Sequence, residues 1–220
     1  MSRPLRRCAL ALTLVGAVTL AGCSDAEPSR IPDGDHTRPV VISVSPNSPE
    51  QVILGEIYLQ TLQKQNREVI LDVGAFSGQR TRLDRLQERS TDFVIGCTGM
   101  YLSNLDTPRA EELFEEIERG EIEDPADATY REYMGALNGR FTSPDPSSAQ
   151  GCAEIVAREG MPELPQNIVP TFSRDLFNRQ ELKAITDVTR FLTTEEIAML
   201  IEESQSTSSA ATAVEAWLPI

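Results

Sequence analysis

The sequence predicts an α/β fold built on parallel strands, and three observations carry that expectation. Short apolar runs stand at Val40–Val44, at Glu68–Val73 and at Asp92–Gly96. Between them lie two stretches whose apolar residues recur at helical spacing. A β-α-β-α-β order calls for parallel strands joined by right-handed crossovers. Ligands of such sheets collect beyond the carboxyl ends of the strands.

Each element follows from its residues. Val40-Val41-Ile42-Ser43-Val44 reads as a buried strand. Ser48 is placed to cap the next helix, Pro49 suits its first turn, and Gln51 stands where a capping box closes. That helix runs to Gln65, with Ile53, Ile57, Tyr58 and Leu62 on one face. After the second strand, Gly74 to Gly78 is a loop and Gln79 to Arg89 a helix, with Leu83 and Leu86 inward. The three strand ends carry Ser45-Pro46-Asn47, Phe76-Ser77-Gly78 and Cys97-Thr98-Gly99. A strongly acidic helix starts at Thr107-Pro108 and stops at Gly120; a second starts at Asp124-Pro125 and stops near Gly139. A Pro/Ser/Asp loop at 142–148 leads to a helix near 149–158 that carries Cys152. A further strand begins at Asn167-Ile168-Val169, followed by helices near 174–192 and 194–205 and a last apolar segment, Ala213 to Leu218. Thr193 and Glu196 form a capping-box pattern at the start of the helix at 194.

The first residues read as an export signal: Arg3, Arg6 and Arg7, then apolar Ala9 to Leu20, then small residues. The run falls short of the about 20 residues a membrane span needs. Leu20-Ala21-Gly22-Cys23 resembles the lipobox of bacterial lipoproteins. The resemblance implies cleavage before Cys23, lipid on its sulfur and new amino terminus, and an extracytoplasmic chain anchored to the cell membrane. Residues 1–22 are then the signal peptide, and 23–39, rich in Ser, Asp, Pro and Arg, a flexible tether.

Three of the 20 Lys+Arg leave with the signal, so 17 face 34 Asp+Glu and the remaining chain carries a formal charge of −17. That balance argues against a nucleic-acid partner and favours cationic ligands at long range. Most of these carboxylates, including the run Glu111 to Glu118, read as a solvated face. Cys97 and Cys152 remain once Cys8 and Cys23 are set aside, and they pair as a disulfide or stand as two buried thiols. With a single His, His36, and no Cys-x-x-Cys, no metal site is expected, and no cofactor motif occurs. The chain has no Gly-x-Ser-x-Gly elbow, phosphate loop or Gly-x-Gly-x-x-Gly, so an enzyme is not the expectation.

Three segments resemble one family in order. Ser45-Pro46-Asn47-Ser48-Pro49-Glu50-Gln51 and the helix to Tyr58 are similar to the opening of the glycine betaine/choline-type substrate-binding proteins of ABC importers. Asp92-Phe93-Val94-Ile95-Gly96-Cys97-Thr98-Gly99 stands where that family has an Asp-strand ending in Tyr-Thr-Gly. Asn167 to Pro170, Phe191-Leu192-Thr193-Thr194-Glu195-Glu196 and the closing Ala213 to Leu218 make the third match. The resemblance implies a type II periplasmic-binding-protein-like clamp, with a parallel sheet in lobe 1 (40–104 plus 172–220) and a reduced, largely helical lobe 2 (105–171). It implies a small-molecule solute, quaternary ammonium or amino-acid-like, and an ABC permease as partner. Ser45, Asn47, Phe76, Ser77, Gly78, Thr98, Gly99 and Tyr101 are the expected ligand contacts at the strand tips. Capping by Ser48 and Ser77, turn geometry at Gly78 and Gly99, and plain core packing for Phe76, Tyr101, Tyr130 and Tyr133 are the blander readings. Cys97 replaces the family's Tyr, and only 12 of 220 residues are aromatic, so the family's aromatic cage does not carry over. The alternative is a non-transporting envelope lipoprotein on the same scaffold.

Overall fold

The computed structural model describes residues 36–74 and 81–218. Three parallel strands come first, each followed by a helix: β1 (Val40–Val44), α1 (Pro49–Gln63), β2 (Val69–Val73), α2 (Arg82–Gln87), β3 (Phe93–Cys97) and α3 (Thr98–Leu105). Then come α4 (Thr107–Glu118), α5 (Pro125–Ala136), the two-residue β4 (Phe141–Thr142) and α6 (Ala153–Glu159). β5 (Ile168–Ser173), α7 (Arg179–Phe191), α8 (Thr194–Thr207) and α9 (Ala210–Trp217) close the chain. The sheet order is β2-β1-β3-β5-β4. β1 pairs in parallel with β2 and β3, whereas β5 runs antiparallel to β3 and β4. The described residues lie within one compact unit, Asp33–Ile220.

The two connections cross on opposite faces. α1 lies on the face of Ile42, Val44 and Leu71: a Cβ added at Gly55 would stand 2.5 Å from Val44 and 2.8 Å from Leu71, so only glycine permits this approach. α2 lies on the face of Ser43 and Asp72, both of which bond the Arg85 guanidinium. Hence β1 is flanked by β2 on one side and β3 on the other, reached over different faces. The carboxyl ends of β1 and β3 are therefore a topological switch point, the place where open α/β sheets take ligands in the crevice between diverging chains.

The core follows the alternation. On the α1 face, Phe93 meets Tyr58 at 5.0 Å, Phe172 at 5.5 Å and Phe177 at 6.0 Å between ring centroids, and the Tyr58 hydroxyl bonds Thr189 of α7 at 2.9 Å. On the opposite face, the rings of Tyr101 and Tyr133 lie 5.5 Å apart and the Tyr133 hydroxyl bonds Thr171 of β5 at 2.5 Å. That contact seats α5 directly on the sheet.

Ser48 caps α1 by accepting from the Gln51 amide at 3.3 Å, and the capping box at Thr193 and Glu196 forms as the sequence indicates. The Gln51 side chain does not complete a box: its oxygen is buried without a partner. Two elements differ from expectation. Thr98 to Leu105 is a full helix rather than the turn its glycine suggested, because Cys97 stays extended and the helix begins at the next residue. α6 starts after Cys152, which is itself in the left-handed region at φ 58°.

Candidate functional site

The candidate site is the rim of that crevice. α1, α2 and α3 each start just past a parallel strand and bring one polar side chain to it: Glu50 from the first turn of α1, Arg82 as the first residue of α2, and Tyr101 from α3. Two further segments complete the rim, 147–152 and 164–167, because β5 is antiparallel and begins beside the end of β3. The Ile168 amide donates to Ala149 O at 2.9 Å, Gly151 N to Gln166 O at 3.0 Å, and Gln166 N to the Gln150 side chain at 2.8 Å. Cys97 and Cys152 form a disulfide that ties the end of β3 to the head of α6.

Buried polar atoms gather here. Arg82 is 7% exposed and Tyr101 is fully buried. The Tyr101 hydroxyl, Gln51 Oε1, Gln166 Nε2 and Asn167 Oδ1 are buried with no hydrogen-bond partner. Buried polar groups are normally satisfied, so each exception calls for a reason. Burial pulls Arg82 below its ordinary value, while the neighbouring Tyr101 and Glu50 oppose that pull. Arginine nonetheless remains a cation at neutral pH. Burial pushes the Tyr101 hydroxyl far above its usual range, against the pull of Arg82, so it stays a neutral donor. The glycines let these groups pack closely. A Cβ at Gly96 would stand 2.5 Å from the Tyr101 hydroxyl oxygen, and one at Gly151 would stand 2.9 Å from a Glu50 carboxylate oxygen. The Glu50 carboxylate and the two cysteine sulfurs lie within 4.8 Å of one another, but sulfurs joined in a disulfide offer no thiolate to a metal.

The expected contacts fare unequally. Ser45 is partly buried and Asn47 exposed, both on the loop between β1 and α1. Thr98 is buried and its hydroxyl donates to Pro165 O at 3.0 Å, while the Gly99 amide donates to the same carbonyl at 3.1 Å. These two hold the 164–167 segment in place. Tyr101 is at the rim, its ring over Gly96. Phe76, Ser77 and Gly78 lie outside the described residues, as does Cys23. Tyr133 packs against Tyr101 and Tyr130 against Tyr133, the Tyr130 hydroxyl donating to Ser143 O at 3.2 Å. Sequence reasoning missed Arg82, Gln51, Gln166 and Asn167 as site groups and took Glu50 only as part of the family-like helix start. A signal for Arg82 was present: a charged residue one place before the apolar pair Leu83 and Leu86, at the head of a helix leaving the sheet.

A separate hollow of about 600 Å³ lies along the loop that joins α4 to α5 and the first turns of α5, walled by Glu121, Glu123, Asp124 and Asp127. Its acids have local duties: Asp124 caps α5 by accepting from the Asp127 amide at 3.0 Å, and Asp127 pairs with Arg131. Among the described residues, no helix is long and apolar enough to cross a membrane.

No protein-family model matches the chain, and no curated relative does. Solved structures do. Apo YehZ from Escherichia coli superposes with a TM-score of 0.61 at 10% identity, covering 83% of this chain and 98% of that one. A TRAP periplasmic solute-binding protein from Pseudomonas putida F1, solved with bound D-glucuronate, gives 0.45 at 8% identity, with coverages of 81% and 84%. One from Ochrobactrum anthropi, with its C-terminus in its ligand-binding pocket, gives 0.41 at 11%, with 82% and 81%. At such identities the likeness is one of fold. The chain has an α/β, periplasmic-binding-protein-like fold, with a parallel β2-β1-β3 core and a largely helical stretch between β3 and β5.

Proposed function

We propose that this chain is a lipid-anchored extracytoplasmic solute-binding protein of an ABC importer, taking a small quaternary ammonium or amino-acid-like solute. The observation that supports it is the convergence of Glu50, Arg82 and Tyr101 on the switch point, with four buried polar atoms there lacking partners. In this reading Cys23 carries the lipid, residues 23–39 tether the chain, and the permease recognises the loaded form. The two lobes of this reading are 40–104 with 172–220, and 105–171; β4 and most of β5 fall in the second stretch and join the same sheet. Ser45, Asn47, Phe76, Ser77, Gly78, Thr98, Gly99 and Tyr101 surround the solute. Calorimetric titration with glycine betaine, choline, carnitine and proline tests this. Saturable heat with at least one solute is expected; no heat and no thermal shift across the panel overturns it.

A second reading, a non-transporting envelope lipoprotein, is favoured by a specific feature. Thr98 and Gly99 are committed to the 165 carbonyl, and the disulfide pins the same strand end to α6. Recovery of unrelated envelope proteins, and no permease, on pull-down from membranes would favour it.

A further inference from the structure

Residues 152–163 form a loop fastened at its base and tied down at its head. At the base, the Gly151 amide donates to Gln166 O at 3.0 Å, the Gln166 amide to the Gln150 side chain at 2.8 Å, and Gln150 bridges Asn167. Beyond that base the bonding turns inward. Among the described residues, the hydrogen bonds of 153–163 stay within 152–164: the Ile155 and Val156 amides donate to Cys152 O, and Met161 to Val156 O. Of the described side chains in 153–163, Val156 alone is buried. Besides that packing, the loop is tied to the sheet by the bond from Cys152 to Cys97. The two ends of this bond differ. Cys97 lies in β3, opposite Ile168 of β5, and is fully buried. Cys152 is 6% exposed and stands in the left-handed region at φ 58°, where a residue with a side chain is uncommon. Breaking the bond leaves Cys97 in the sheet and frees Cys152 to relax. Few buried apolar contacts and only local hydrogen bonds mark a segment that opens by itself. Its head also lies on the crevice rim, where a Glu50 carboxylate oxygen and the two sulfurs are within 4.8 Å of one another.

Resting on the solute-binding reading above for its consequence, we propose that Cys97–Cys152 is a redox latch. Oxidised, it holds 152–163 against the rim and the site binds; reduced by an external dithiol, the loop opens and affinity falls. The exchange begins at Sγ of Cys152, the more exposed residue of the pair. A thiolate of the dithiol attacks it, forming a mixed disulfide and expelling Cys97 as a thiolate, which takes a proton from water. The dithiol's second thiolate then attacks its own sulfur in the mixed disulfide. Cys152 leaves as a thiolate and is protonated, and the dithiol ends as a disulfide. Two electrons pass to the cysteine pair, and the two protons it gains match the two the dithiol gave to water. In the extracytoplasmic setting of that reading, oxidising conditions make the latched form the resting one.

Amide hydrogen exchange read by mass spectrometry on the intact chain, with and without dithiothreitol and without denaturant, tests the latch. Alkylation of Cys97 and Cys152 confirms reduction. On reduction, the exchange rate of 153–163 relative to that of 165–168 is expected to rise about tenfold or more. Calorimetric titration of both states with glycine betaine, choline, carnitine and proline tests the consequence. The best-bound solute is expected to lose about fivefold or more in affinity on reduction. By linkage, saturation with that solute makes the bond harder to reduce by the same factor. The double variant Cys97→Ala, Cys152→Ala is expected to repeat the reduced behaviour and ignore dithiothreitol; should it fail to fold, the wild-type chain in its two states decides. A bond that resists dithiothreitol until the fold melts, or an unchanged exchange ratio, overturns the latch and leaves solute binding standing. A raised ratio with equal affinity in both states overturns the gating. No heat from any of the four in either state overturns the solute-binding reading and the gating with it, while the exchange ratio decides the latch on its own.

Discussion

At the amino end of the parallel strands, Arg67 meets Glu181 at 3.4 Å, both side chains almost wholly buried, and Arg67 also donates to Leu176 O at 3.3 Å. Glu181 is occupied a second time, accepting from the Asn178 amide at 2.8 Å in the capping box of α7. Nearby, Asp92 takes two bonds from Arg38 and one from the Val41 amide. At the carboxyl end the inventory differs. Arg82 is just as buried, yet Tyr101, Gln51, Gln166 and Asn167 around the crevice each hold a buried atom with no partner. Buried atoms without a partner are not confined to the carboxyl end, since Thr61 Oγ1 near the end of α1 is another, but four of them gather there. Internal pairing is what stability asks for; an open set is what a ligand completes.

The largest expected effect lies at the closed end. Glu181→Ala takes the countercharge from the buried Arg67 guanidinium and removes the reciprocal half of the α7 capping box, leaving the Asn178 cap. Denaturant unfolding should show a loss of about 3–5 kcal/mol, with solute binding unaltered in the folded fraction. A loss under about 1 kcal/mol would mean the pair behaves as a surface ion pair.

Next comes the disulfide, which spans 55 residues from Cys97 to Cys152. The double variant Cys97→Ala, Cys152→Ala should lose about 3–4 kcal/mol by loop closure. It should also weaken binding, since the bond sets the rim beside Glu50. Unchanged affinity would detach the disulfide from the site.

Gly96→Ala is intermediate. The new methyl would stand 2.2 Å from the Tyr101 ring, so the ring has to move. The expected cost is about 1–3 kcal/mol, together with weakened binding.

The smallest effect is the sharpest contrast. Tyr133 and Tyr101 are both fully buried and neighbours, but only the Tyr133 hydroxyl has a partner, Thr171. Tyr133→Phe should cost about 0.5–1.5 kcal/mol, and Tyr101→Phe nothing or a slight gain. Equal losses would show that the Tyr101 hydroxyl is satisfied and the carboxyl end is no more open than the other.

The sheet was legible because its evidence is local. Val40–Val44 and Phe93–Cys97 are short apolar runs, and Ser48 and Thr193 announce their helices within three residues. α3 was not legible: Thr98-Gly99 reads as a turn, and its helical start is held by bonds to Pro165 and Asn167, some 67 residues away. The antiparallel entry of β5 is likewise a pairing decision between distant segments. The site was half legible. Strand-end position nominated Thr98, Gly99 and Tyr101, but what separates the first two from the third is whether their polar groups are already engaged, and that depends on 164–167. Arg82 escaped because an arginine at a helix start usually lies in solvent, and its burial comes from neighbours contributed by α1 and α3.

The most direct test is a crystal structure of the intact chain grown with glycine betaine. Solute density between the ends of β1 and β3, with a polar atom within hydrogen-bond distance of the Tyr101 hydroxyl, is the expected result. Solute density in the hollow beside Glu121 and Asp124 with the crevice lacking any, or Tyr101 bonded to a side chain of its own protein, would contradict the account.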